Sequence, residues 1–241
     1  MAPVDKENAE IYIDEVKHNV PMPNTLTVQD DFAEFVKLQH LYRSAIENVK
    51  TQLSIFDNEF KVQYRRNPIH TMESRLKSPK SIVGKLQKKG VPITINSAKQ
   101  HLNDIAGVRV VCYYIKDIYH IVDLILMHDD YQLINIKDYI RNPKPSGYRS
   151  FHMSIKVPVY LSNGKQYVPV EIQIRTIAMD FWASVEHQLK YKTNSAITTD
   201  ISNELKECAE VISKMDVSMQ DIYERIQNLN ENGFEEEENI T

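Results

Sequence analysis

At 241 residues, against a rule of thumb of about 150 per domain, the chain is one large domain or two small ones. With 42% hydrophobic and 26% charged residues it has the material for a globular core, and no apolar run approaches the roughly 18 residues of a membrane span. Cys112 and Cys208 stand too far apart for a disulfide framework or a cysteine-based zinc site, and MAPVDKENAE is no secretory signal, so a reducing, cytoplasmic compartment is expected.

The net charge of −4 names no partner, but its distribution is uneven. Between Lys61 and Gly90 nine Lys and Arg face one acid, Glu73, whereas the segment from Glu231 onward has five acids and no base. A local surplus of this kind is either a phosphate-binding surface or a solvated helix face.

In chain order, residues 1–27 carry three prolines and little periodicity and read as an arm or short helix. From Asp31 a long amphipathic helix is predicted, with Phe32, Phe35, Tyr42, Ile46, Val49, Leu53, Phe56 and Phe60 on its apolar face, a break near Gln39, and an end at Arg66-Asn67-Pro68. Ser78 as N-cap, Pro79 in the first turn and Gly90 as stop bound a second helix, which sets Ser81 and Lys85 four apart. A third, short helix runs from Ile95 to about Asp104.

The period then changes to two. Strands are predicted over Val108–Tyr114, Tyr131–Ile140 and Tyr148–Tyr160, the last followed by a hairpin turn at Ser162-Asn163-Gly164 and a partner strand with Val168, Val170, Ile172 and Ile174 inward. Residues 141–147 form a turn-rich loop, and a helix follows Thr176 to about Lys192. Ile201, Leu205, Cys208, Ile212, Met215, Met219, Ile222, Ile226 and Leu229 then step 4-3-4-3, a stripe that either packs on its own domain or joins copies of the chain. Helices and strands grouped separately around a mixed sheet of about five strands give an α+β class.

Alternation places Glu171, Gln173 and Arg175 on one face and Tyr148, Ser150, His152 and Ser154 on the corresponding face of the hairpin partner. The result is a solvated face or a site wall. Asp104, before the first of these strands, is a turn cap by default. Paired with Glu171 it would suit Mg²⁺, which takes one or two carboxylates plus substrate phosphates. Arg75, Lys77, Ser81 and Lys85 would then meet a polyphosphate and Arg109 a base, a phosphoryl-transfer site built on positioning and charge. Gly84-Lys85 is not a Walker loop, since Pro79 stands where its first Gly belongs, and His128-Asp129 reads as a surface turn rather than a metal pair.

Five blocks in register resemble the synthetase domain of the RelA/SpoT alarmone enzymes. They are Ser74-Arg-Leu-Lys-Ser-Pro-Lys-Ser81, Asn103-Asp-Ile-Ala-Gly-Val-Arg109, Lys137-Asp-Tyr-Ile-Arg-Asn-Pro-Lys-Pro-Ser-Gly-Tyr-Arg-Ser-Phe-His152, Glu171-Ile-Gln-Ile-Arg-Thr176 and Trp182-Ala-Ser-Val-Glu-His-Gln-Leu-Lys-Tyr-Lys192. The chain looks like a small, single-domain alarmone synthetase. The resemblance implies a nucleotidyltransferase-like fold and transfer of the β,γ-pyrophosphate of ATP to the 3′-hydroxyl of GDP or GTP. By position, Arg75 and Arg109 would flank adenine, while Lys77, Ser81 and Lys85 hold the phosphates. Asp104 and Glu171 would be catalytic and hold Mg²⁺; Lys137, Lys144, Tyr148 (stacking on guanine), His152, Gln173 and Asp180 would bind GDP or GTP.

Two departures stand out. Asn135 replaces an Arg of the longer members, and Asp180 replaces an Asn frequent in the small ones. The hydrolase and regulatory domains of the long enzymes find no counterpart, so control is expected from expression or small effectors. The expected organisation is an arm at 1–27, a synthetase domain at 28–192, an oligomerisation helix at 193–230, serving a homotetramer, and a disordered acidic tail at 231–241. A tRNA 3′-end pyrophosphokinase and a non-catalytic RNA- or nucleotide-binding oligomer are the rival readings; RNA is a possible but unrequired partner, and a membrane is not expected.

Overall fold

In the computed structural model, residues 28–192 and 198–238 are described, with side chains from 33 to 189 and from 198 to 229; the arm at 1–27 lies outside them. Helix α1 (Val28–Tyr64) is as long as its periodicity predicts. Phe35, Tyr42, Ile46, Val49, Leu53, Phe56 and Phe60 are all buried, and Leu38 and Ala45 carry the stripe past the break at Gln39. Each Phe, Leu, Ile or Val among them contributes about 1.5–3 kcal/mol by leaving water. The helix stops where Arg65 turns left-handed (φ 55°).

Strand β1 (Ile69–Leu76) follows, an element the sequence reading leaves unassigned. α2 (Pro79–Lys89) has the predicted caps: the Ser78 side chain accepts from the Ser81 N–H, and Gly90 closes the helix at φ 66°. α3 (Ile95–His101) is capped by Thr94 and ends earlier than expected, which leaves Asp104 in the turn before β2 (Ala106–Cys112). α4 (Ile115–Leu126), also unassigned from sequence, buries Ile118, Ile121, Val122 and Ile125. β3 (Gln132–Asp138), β4 (Phe151–Leu161) and β5 (Gly164–Thr176) complete the sheet. α5 (Ile177–Lys192) and α6 (Thr199–Glu238) close the chain.

The sheet order is β1-β2-β5-β4-β3, with β2 and β5 parallel and the other pairs antiparallel. It is the mixed, five-stranded α+β sheet expected. Helices α1 and α4 cover one face, where Val108, Val110, Ile172, Ile174 and Met153 join the α1 stripe in the core. Among the described residues no helix is long and apolar enough to cross a membrane, and both cysteines are free.

Two boundaries correct the sequence reading. β4 begins at Phe151, so Tyr148 belongs to the preceding loop; Pro143, Pro145 and the positive φ of Gly147 (87°) keep the chain out of strand geometry there. Helix α6 continues to Glu238 through most of the expected disordered tail, across Asn232-Gly233, a pair whose composition disfavours helix. On α6 itself the docked stripe is not the heptad stripe. Ala209 and Asp216 are buried against the domain, whereas Ile201, Met215, Met219, Ile222, Ile226 and Leu229 remain exposed.

Candidate active site

Strand register lays the chemistry out in rows. Glu73, Arg109, Gln173, His152 and Lys137 form one row across β1, β2, β5, β4 and β3, and Arg75, Gly107, Glu171, Ser154 and Asn135 form the next. Because side chains alternate along a strand, both rows lie on the face away from α1 and α4. Glu171 sits on the central strand, between the two arginines on one side and His152 and Lys137 on the other.

On the β1–β2 side, Arg75, Arg109, Glu171 and Gln173 line one cavity of about 60 Å³. The Arg75 side chain packs over Gly107, where a Cβ would meet Arg75 Cγ at 3.6 Å, an ordinary van der Waals contact. The Arg109 guanidinium is 3.4 Å from Glu73 and 3.7 Å from Asp180.

Asp104 lies in the turn before β2, three residues ahead of Gly107, the strand neighbour of Glu171. Its Oδ2 pairs with Lys77 at 3.0 Å and with Lys85. Burial pushes this carboxyl up, but the hydrogen bonds and charges of Lys85 and Lys77 outweigh it and hold the group below the usual carboxylate range. Oδ1 is buried with no hydrogen-bond partner. An oxygen with open lone pairs, on an ionised carboxylate, suits a small hard cation whose remaining ligands are phosphates and water; among the described residues no group of three or more His, Cys, Asp or Glu forms a cage by itself. Ser81 Oγ is bonded to Ser78 Oγ at 2.9 Å. The basic surplus is thus partly spent inside the protein, since Lys77, Lys85 and Arg66 (on Asp117) all carry acidic partners.

On the β4–β3 side the wall is a connected network. Gln173 Nε2 donates to Glu171 Oε2 at 2.9 Å. Arg175 Nη2 donates to Gln173 Oε1 at 2.9 Å and to the Tyr148 hydroxyl at 3.1 Å, and that hydroxyl is 2.9 Å from His152 Nε2. His152 Nδ1 faces Glu171 Oε1 at 3.9 Å. Burial, followed by the positive charges of Arg175, Lys144 and Lys137, pushes His152 down to about 4, so its imidazole is neutral at ordinary pH. Lys144 lies over the rings of Tyr139 and Tyr148, 4.7 and 4.6 Å from their centroids. Asp180, from the first turn of α5, pairs with Arg175 at 3.3 Å as well as with Arg109, so one carboxylate joins the two halves.

The structure therefore gathers Arg75, Arg109, Glu171 and Gln173 around a cavity, Lys77 and Lys85 around Asp104, and Tyr148, His152 and Gln173 into one network, with Lys137 in the His152 row. Tyr148 joins the wall through its loop and its hydroxyl rather than through strand alternation. Two contributors go beyond the sequence-predicted set. Tyr139 packs edge-on to His152, its ring centroid 5.2 Å away. Arg175, which alternation does place on this face, proves to be 3% exposed and the hub of the network; a charged residue beside buried Ile174 and Thr176 was the available signal.

Residues 74–196 match the family model described as a region found in RelA / SpoT proteins. The GTP pyrophosphokinase YwaC of Bacillus subtilis is 44% identical over 198 residues, covering 82% of this chain and 93% of that protein. Among solved structures, the small alarmone synthetase 2 of Bacillus subtilis superposes with a TM-score of 0.70 at 44% identity, covering 77% of this chain and 96% of its own. The small alarmone synthetase 1 of Bacillus subtilis, bound to its product pppGpp, gives 0.73 at 32% identity, covering 80% and 98%. With that identity spread along most of both chains, and with the polar rows falling on the matched blocks, the chain belongs to the RelA/SpoT family, among its small alarmone synthetases.

Proposed function

We propose that the protein is a GTP/GDP pyrophosphokinase that moves the β,γ-pyrophosphate of ATP onto the 3′-hydroxyl of GDP or GTP, releasing AMP and (p)ppGpp. The observation that carries this reading is the pair of rows across the sheet, which set Arg75 and Arg109 on one side of Glu171 and His152 and Lys137 on the other. That a relative at 44% identity is a GTP pyrophosphokinase, and that a solved neighbour holds pppGpp, supports it.

Arg75 and Arg109 clasp the adenine, while Lys77, Ser81 and Lys85 neutralise the phosphates. Tyr148 stacks on guanine; Lys137, Lys144, His152, Gln173 and Asp180 hold the acceptor nucleotide. Glu171, at the centre, takes the 3′-hydroxyl proton as the oxygen attacks the β-phosphorus, and the bond from that phosphorus to the α-phosphate oxygen breaks as AMP leaves. Asp104 and Glu171 would hold Mg²⁺, which when bound draws charge from the polyphosphate. The exposed stripe of α6 supports assembly into a homotetramer, and the chain's character fits a cytoplasmic enzyme.

Purified protein given ATP and Mg²⁺ with GMP, GDP, GTP and tRNA side by side, and resolved by anion exchange, is expected to release AMP and a guanosine 3′-pyrophosphate from GDP or GTP. Labelled tRNA as the sole acceptor, or no transfer, overturns the reading. Glu171→Gln is expected to lower turnover by about 10²–10⁴, the range for a lost general base, with an unchanged circular-dichroism melt; an active variant removes Glu171 from the chemistry.

A further inference from the structure

We propose that Arg175 is the positioning residue of the acceptor wall: its guanidinium sets the direction of the hydrogen bonds so that Gln173 and His152 both turn N–H groups toward Glu171. The inference rests on the acceptor reading above and adds to it a residue that touches neither nucleotide.

A guanidinium has donors and no acceptor, so every bond it makes has one possible sense. Where Arg175 Nη2 meets Gln173, at 2.9 Å, it must meet the amide oxygen, and the amide NH₂ is left facing Glu171 Oε2, also at 2.9 Å. Where it meets the Tyr148 hydroxyl, at 3.1 Å, it occupies a lone pair. The phenolic hydrogen, repelled by the same positive charge, points away along the 2.9 Å contact to His152 Nε2. An imidazole that accepts at Nε2 carries its proton at Nδ1, the nitrogen that faces Glu171 at 3.9 Å. Two relays of opposite shape therefore leave one cation and converge on one carboxylate, each with its donor end forward. Nη1 on Asp180, at 3.3 Å, holds the fork in its plane.

The arrangement is a poor way to stabilise a sheet. The side chain is 4% exposed, its Nε is buried with no partner, and burial together with the charges of Arg109 and Arg75 works against its protonated form. An apolar residue would be cheaper at this position. What an apolar residue cannot do is specify polarity, and a carboxylate that accepts a proton in the reaction needs a fixed orientation beforehand.

Arg175→Lys keeps the charge and removes the fork, so it separates positioning from electrostatics. Its KM for GDP and GTP is expected to rise about tenfold or more, the scale of one hydrogen bond to a charged group, with kcat reduced and the KM for ATP within about twofold. The second readout needs no turnover. In ¹⁵N-labelled protein without nucleotides, the His152 signal, assigned by its loss in His152→Gln, is expected to report a single neutral tautomer protonated at Nδ1. Arg175→Lys is expected to give a mixture, and so is Tyr148→Phe, which cuts only the phenol relay and serves should the lysine variant fold poorly. A wild-type imidazole protonated at Nε2, or an unmixed tautomer in Tyr148→Phe, overturns the proposal. Loss of the tautomer without any pyrophosphate transfer by wild type would instead retain Arg175 as the organiser and overturn the pyrophosphokinase reading.

Discussion

Asp216 shows how far a single side chain can stand from its own interest. Buried on the inner side of α6, it accepts from the Thr176 hydroxyl at 2.5 Å, and burial raises its pKa although that bond opposes the shift. A carboxyl whose pKa is raised by folding binds protons more readily in the native than in the unfolded state. Stability therefore falls as pH rises from the ordinary carboxylate range through the raised native value, and stays low above it. Asp216→Asn keeps an acceptor for Thr176 without the charge. It is expected to raise the melting temperature at neutral pH by about 2–4 °C, the effect of roughly 1 kcal/mol in a chain of this size, with the gain vanishing near about pH 4. An equal shift at both pH values would refute the ionisation argument. At this scale the sequence was legible where spacing alone decides a side chain's face, as with Glu171, Gln173 and His152. It was silent where burial decides: Ser78 can be named a cap from its neighbours, but nothing local says that Arg175 or Asp216 is enclosed, or that Asp104 spends one oxygen on two lysines.

Elements differ in legibility for physical reasons. α1 and α2 announce themselves because a one-sided apolar stripe and a Ser-Pro…Gly frame each require a helix. β1 did not, since as an edge strand it buries Ile69 and little else, so HTMESRL has no alternation to read. α4 was passed over although Ile118, Ile121, Val122 and Ile125 recur at helical spacing, a signal that the sequence carried and that went unread. α4 meets the end of α1 and the helix α6 at one joint. Arg66, just past α1, forks onto Asp117 of α4 at 2.6 and 3.0 Å and lies over the ring of Tyr223 of α6, 4.9 Å from its centroid. The Asp117 side chain is 2% exposed, so removing its partner strands a buried charge. Arg66→Met is expected to cost about 3–5 kcal/mol in urea titration, and Arg66→Met with Asp117→Leu clearly less, because the pair's desolvation disappears with the pair. A double variant no better than the single one contradicts that account.

For the molecule as a whole, the 4-3 stripe of the last helix was visible and was expected to join copies of the chain; most of it is exposed, while Ala209 and Asp216 on another face are buried. α6 docks through Ala209, Asp216 and Tyr223, the last stacked on Tyr114 at 4.4 Å, with Leu205 and Ile212 half-buried and the other large apolar positions facing out. Met215→Glu with Ile222→Glu is expected to reduce the mass seen by light scattering to that of the monomer while leaving far-ultraviolet dichroism intact; an unchanged mass would show that copies join elsewhere or not at all. The helix's inner side holds a further consequence. At Gly147 a methyl group would come within 2.6 Å of the Ala209 side chain, so the turn bearing Lys144 and Tyr148 is wedged against α6 with no slack. Any shift of α6 must therefore carry the turn of Lys144 and Tyr148 with it, whereas Lys77 and Lys85, around Asp104, are set by the end of β1 and by α2. If copies join through the bare outer flank of α6, dilution is expected to raise the KM for GDP or GTP and leave that for ATP unchanged, read by initial rates over a range of enzyme concentrations.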